Sequence, residues 1–130
     1  MSNTLIHKAL RKRLQTLSYP IAFENVSFAP ADGTLYLREN FLPAKSVDLV
    51  VGFTDGVRDF TGIYQVTICS PSGGGKSVAD AACDVVEELF KRGSMFDGVQ
   101  ILKSPDRHSA KISGAWFLAP ISIYYRSFMS

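Results

Sequence analysis

The sequence predicts an α+β fold, a mostly antiparallel β-sheet with two helices packed on it. Three observations carry that expectation. Two stretches, 5–17 and 78–89, place apolar residues at helical spacing. Between and after them run FTGIYQVTIC and WFLAPISIYYRSF, rich in β-branched and aromatic residues. Short turns such as TDGVRD, with its Asp-Gly signal, join the middle strands and suit antiparallel neighbours better than parallel crossovers.

The elements follow in order. In SNTLIHKALRKRLQTLSYP, Leu5, Ile6, Ala9, Leu10, Leu14 and Leu17 fall on one helical face, Ser2 or Asn3 can cap the start, and Pro20 lies past the end. Lys8, Arg11, Lys12 and Arg13 cover the remaining surface, expected to be solvated, and His7 reads as a surface residue. IAFENVSF, TLYLRENFLP, SVDLVVGF and FTGIYQVTIC read as strands. In the second helix, Val78, Ala82, Val85, Val86 and Leu89 form the stripe expected on the sheet. Ser77 and Asp80 suggest a capping box, acids precede Lys91 and Arg92 as the helix dipole favours, and Gly93 stops the helix. GVQILK and WFLAPISIYYRSF close the chain; Pro120 implies an edge strand or a bulge. The polar link SPDRHSAKISG reads as a mobile loop.

Composition bounds the function. A chain of 130 residues fits a single domain, 1–130, and 46% hydrophobic with 20% charged residues is the balance of an ordinary globular protein. A net charge of +2 is too small to demand a nucleic-acid partner. No apolar run is long enough to span a membrane, and the N-terminus lacks a signal-peptide core. Cys69 and Cys83 read as buried free thiols in a reducing compartment.

The stretch SPSGGGKS tests one chemistry directly. Phosphate-binding loops read G-x-x-x-x-G-K-[ST], with backbone N–H groups cradling phosphate and the lysine reaching the outer phosphates. Gly75, Lys76 and Ser77 fit, but Ser70 takes the first glycine position and Pro71 removes a donor. Gly73, Gly74, Gly75, Lys76 and Ser77 therefore read as the loop that leads into the second helix. No apolar strand after Lys76 ends in the aspartate that would hold magnesium. His7 and His108 lack metal-ligand spacing, and Asp55 and Asp59 read as turn formers. No catalytic, cofactor or metal constellation is expected, and the protein is not expected to be an enzyme.

The order of motifs resembles the tail terminator (tail completion) proteins of long-tailed bacteriophages. The resemblance rests on Phe28, Pro30, Asp32, Gly33, Thr34, Tyr36, Leu37 and Arg38, then on Gly62, Ile63, Tyr64, Gln65 and Val66. Pro71, Gly73, Gly74 and Gly75 match a Pro-x-Gly-Gly-Gly segment that the family uses to turn from strand into helix. The resemblance implies a virion structural protein of α+β fold, made in the host bacterial cytoplasm. It would form a hexameric ring on the head-proximal end of the tail tube, stop its growth and meet the head connector. The implied partners are further copies of the chain, the tail tube protein and the head–tail connector protein; DNA would pass through the ring without sequence-specific contact. The expected contact residues are Arg38, Asn40, Phe41, Asp55, Arg58, Asp59, Arg107, His108 and Lys111, and Lys45 and Lys103 join the basic residues that would line the channel. The alternatives are a small nucleotide-binding protein using Gly73 to Ser77, or another head–tail joining (neck) protein.

Overall fold

The computed structural model describes residues 3–24, 26, 28, 34–44, 47–49, 57–73 and 76–129, and for 47–49, 57–59, 128 and 129 the backbone alone. Its elements are α1 (Asn3–Leu14), β1 (Ile21–Ala22), β2 (Tyr36–Pro43), β3 (Val47–Leu49), β4 (Val57–Pro71), α2 (Ser77–Leu89), β5 (Met95–Phe96), β6 (Val99–Ile101), β7 (Asp106–Arg107), β8 (Lys111–Ser113) and β9 (Trp116–Met129). One sheet runs β1-β2-β4-β9-β6-β5, with β3 beside β4 and β7 and β8 beside β9. Every pairing is antiparallel except the short β1–β2 pair. The α+β expectation holds.

The sheet is built on β4 and β9, paired in unbroken register from Arg58↔Met129 to Pro71↔Trp116. Period-two alternation divides their side chains. Phe60, Tyr64, Val66 and Ile68 of β4 share a face with Ala119, Ile121, Ile123 and Tyr125 of β9, and both helices pack there. The helices contribute Ile6, Ala9, Leu10, Leu14, Ala79, Ala82, Cys83 and Val86 to the same core. The opposite face carries Arg38, Asn40, Gln65, Ser122 and Tyr124, and no described helix covers it.

Several details depart from expectation. Arg58 and Asp59 are strand residues of β4, facing Asp48 and Val47, rather than part of a turn; Asp55 lies outside the described residues. The inward face of α2 is Ala79, Ala82, Cys83 and Val86; Val78 and Val85 face water. The apolar residues of α2 outnumber the places on its buried face, so hydrophobic spacing alone does not fix its rotation. Lys76, in helical conformation, takes the cap position without a side-chain cap bond, so the Ser77–Asp80 capping box does not form. The link 104–114 is tied to β9 through β7 and β8. β9 is internal, yet Pro120 is accommodated. Its carbonyl accepts from the His108 N–H (2.9 Å), so its donor-less nitrogen also faces the outer strand where pairing breaks between β7 and β8. The five residues 107–111 lie opposite the four residues 118–121, which is a bulge.

At Gly62 the neighbouring strands leave no room for a side chain. A Cβ there would lie 2.4 Å from the Tyr125 hydroxyl and 2.8 Å from the Leu42 carbonyl oxygen. We expect Gly62→Ala to cost about 1–3 kcal/mol through overpacking, measured as a lower urea midpoint. Adding Tyr125→Phe should recover part of the loss and not all of it, because the ring carbon and the Leu42 carbonyl remain at 2.8 Å. An unchanged midpoint in Gly62→Ala would show that the ribbon has slack at this point.

Candidate functional site

Beneath α1 lies a buried ionic cluster. Period two turns Leu37, Glu39 and Phe41 of β2 toward the helices, and Glu39 is completely buried. Helical spacing puts His7 and Arg11 one turn apart on the flank of α1 above it. Arg11 donates to both Glu39 oxygens, through Nε and, at 3.3 Å, through a terminal nitrogen; His7 Nε2 donates to Oε2. The His7 ring stacks on Phe41 at 4.5 Å, and the Arg11 guanidinium lies 4.9 Å over Phe23. The hydrogen bond to Glu39 raises Arg11 above its ordinary value. His7 is thus a half-buried partner rather than a surface residue.

His7, Glu24 and Glu39 bring one ligand atom each to within 4.8 Å of one another, the spacing of a cation site. The Arg11 guanidinium already supplies the positive charge there, and Glu24 Oε2 accepts the Phe41 N–H at 2.9 Å. These residues make a closed ion-pair cluster rather than an open set of metal ligands.

A second cluster is exposed. Arg107, on the helix side of the sheet, donates to Asp84 and Glu87 of α2 and lies 3.6 Å from Asp80. On the bare face, Asp106 accepts from Lys103 (3.0 Å) and from the Tyr124 hydroxyl (3.0 Å), and these bonds lower its carboxyl below the usual range. His108 Nε2 and the Ser122 hydroxyl are 2.6 Å apart. Burial pushes both thiols, Cys69 and Cys83, upward and keeps them protonated at neutral pH.

The predicted contact residues thus divide. Arg38, Asn40, His108 and Lys111 belong to the bare face. Phe41 faces the helices and stacks on His7, and Arg107 is tied to α2. Asp55 and Lys45 lie outside the described residues, and Arg58 and Asp59 are strand residues whose backbone alone is described. Of the helix-leading loop, Gly73 has φ 87°, Lys76 caps α2 and Ser77 opens it; Gly74 and Gly75 lie outside the described residues. The strand before this loop is antiparallel to both its neighbours, unlike the parallel setting of a phosphate loop. Sequence reasoning missed the Glu39 cluster. Its signal was an acid at an inward position of a strand, opposite a helix carrying His7 and Arg11 four residues apart.

Comparison with known proteins adds to this geometry. The model of the family described as phage tail terminator protein matches residues 5–125. The chain belongs to the phage tail terminator family. Its role is accordingly structural, in completing a phage tail, and it is a component of the virion tail. One solved chain superposes with a TM-score of 0.77 at 26% identity, covering 100% of this terminator and 98% of that chain. No curated protein matches it. None of the terminator's described helices is long and apolar enough to cross a membrane.

Two measurements test the core of this tail terminator. Arg11→Met should cost about 3 kcal/mol, because it takes the guanidinium from a buried carboxylate and leaves it to His7, and Arg11→Met with Glu39→Leu should cost less. Equal losses in the two denaturation curves would mean that Arg11 acts through packing alone. The second concerns alkali. Burial pushes the Tyr125 phenol up to about 12. Tyr64 is raised too, by burial first and then by the Glu39 charge. The unfolded chain releases these protons near pH ~10 while the fold retains them. Stability should therefore be complete below about pH 10 and fall between about 10 and 12. Tyr125→Phe should flatten part of that fall; a parent whose stability is level to pH ~12 would contradict the assignment.

Proposed function

We propose that this terminator closes into a hexameric ring at the head-proximal end of the tail tube, ends tube growth and offers the head connector its surface. The family match over residues 5–125 carries this reading. The one-sided architecture supports it. The helices pack on one face of the sheet, while no described helix covers the other, which carries Arg38, Asn40, His108 and Lys111. A subunit with two unlike faces suits a ring whose two rims meet different partners, the tube protein and the connector protein. A ring of identical copies uses a heterologous contact, and closure consumes both halves of it.

Among the described side chains, Arg38, Lys103 and Lys111 are the basic residues we propose for the channel through which DNA passes; Lys45 lies outside the described residues and Arg58 is described by its backbone alone. Arg107 is withdrawn from that set, since three carboxylates of α2 surround it. Asp59, in β4, remains a contact candidate, as does Asp55, which lies outside the described residues. Assembly takes place in the host cytoplasm, and the ring stays in the finished virion.

Phage lacking this chain should make tails longer than normal and without heads, seen by negative-stain microscopy. Native mass spectrometry of the purified chain across a concentration series, with and without magnesium-ATP, should show six copies and no nucleotide. Tails of normal length in the deletion would sink the proposal. An ATP-loaded monomer that loses the nucleotide on Lys76→Ala would replace it.

A further inference from the structure

The two helices carry opposite charge. α1 holds Lys8, Arg11, Lys12 and Arg13 and no acid, while α2 holds Asp80, Asp84, Glu87 and Glu88 and no base. Much of this charge is satisfied within the chain. Arg11 is paired with Glu39, and Arg13 donates to the Leu89 carbonyl (2.9 Å) and covers the Phe96 ring (4.6 Å). What α1 presents outward is Lys8 and Lys12, the latter only within 3.9 Å of Asp97. They border a shallow groove of about 230 Å³ lined by Leu5, Lys8, Ala9, Lys12 and Asp97.

On α2, Arg107 gathers Asp80, Asp84 and Glu87. The neighbouring stripe is Val78, Ala81, Val85 and Glu88, spaced three, four and three residues apart. Val78 is 54% and Val85 40% exposed, although α2 already buries Ala79, Ala82, Cys83 and Val86 in the core. Leu5, beside the lysines of α1, is 52% exposed. Glu88 also lies 3.3 Å from Lys91, an exposed pair that water screens and that a stronger partner can replace. Each helix thus turns to solvent a stripe of apolar surface whose own charged residues have one sign, lysine on α1 and carboxylate on α2.

The geometry points to a contact between copies of this chain, in which the Leu5–Lys8–Lys12 stripe of α1 docks on the Val78–Ala81–Val85–Glu88 stripe of α2 in the next copy. The lysines meet Glu88 and the outer side of Asp84, and Leu5 covers Val78 and Val85. A second copy is the occupant because the complement of each stripe stands on this same chain. Nucleic acid would match α1 alone and leave the valines in water. Two different patches meet, so the contact is heterologous. It rests on the ring proposal and names the surface that would close the ring.

A charge swap tests it. Lys8→Glu with Lys12→Glu makes both stripes acidic, and Ala81→Lys with Glu88→Lys makes both basic. Each variant alone should associate at least about tenfold more weakly than the parent, measured by analytical ultracentrifugation up to about millimolar concentration. An equal mixture should reassemble, with the two variants alternating, so that native mass spectrometry shows hexamers holding three copies of each. Circular dichroism and thermal midpoints check that both variants fold. If either does not, the single changes Lys8→Glu and Glu88→Lys, at exposed positions, replace them.

Variants that assemble like the parent would overturn this contact and leave the ring standing. A parent that stays monomeric throughout would overturn both. If the lysine variant assembles normally but loses retention of duplex DNA, the α1 stripe serves nucleic acid and the contact is wrong.

Discussion

The buried Glu39 carboxylate constrains the rest of the fold. A charge taken fully out of water is tolerable only with close partners, and these come from α1, as Arg11 and His7. The pairing fixes where α1 lies along β2 and how it is rotated. It thereby decides which residues of α1 face inward, Ile6, Ala9, Leu10 and Leu14, and which remain outside. An apolar residue in place of Glu39 would fill the space without the directional bonds that tie β2 to this turn of α1. The carboxylate supplies position where the hydrophobic contacts supply most of the energy.

The second constraint is the β4–β9 ribbon. Fourteen consecutive pairs bind the middle of the chain to its end, so the core forms only when residues far apart in sequence meet. Gly62 and Tyr125 show how tightly the ribbon is built, with the tyrosine ring occupying the space a side chain at 62 would need. This explains Gly62 in physical terms: the residue is absent of side chain because its cross-strand neighbour is large. The bulge opposite Pro120 serves the same ribbon, since it lets a residue without a donor sit inside an internal strand.

The legible part of this structure was the periodic part. Both helices, β2, β4 and β9 follow from spacing and side-chain shape. Short elements such as β7 and β8 have no periodicity to read, and they exist because β9 offers an edge to pair with. The rotation of α2 was misread because Val78 and Val85 are as apolar as Val86, and only tertiary packing chooses between the faces. The ionic cluster was missed because its members lie 28 and 32 residues apart, beyond any local pattern. Arg107 looked like a free cation for the same reason: its three carboxylates belong to another element.

The outer edge of β2 bears on how such a subunit avoids open-ended growth. Residues 37, 39, 41 and 43 turn their backbone groups away from β4, toward any strand that approached from outside. The Leu37 N–H is taken by the Pro20 carbonyl (2.9 Å), and the Phe41 N–H by the Glu24 carboxylate (2.9 Å). β1 covers positions 37 and 38, and Pro43 has no N–H to offer. A carboxylate and a proline on an edge are the means by which sheet proteins refuse further strands. A component of a phage tail, assembled among many other chains, gains from that refusal. An open edge would offer a row of unpaired backbone groups to any other chain, whereas a blocked one leaves recognition to side-chain surfaces, where it can be selective.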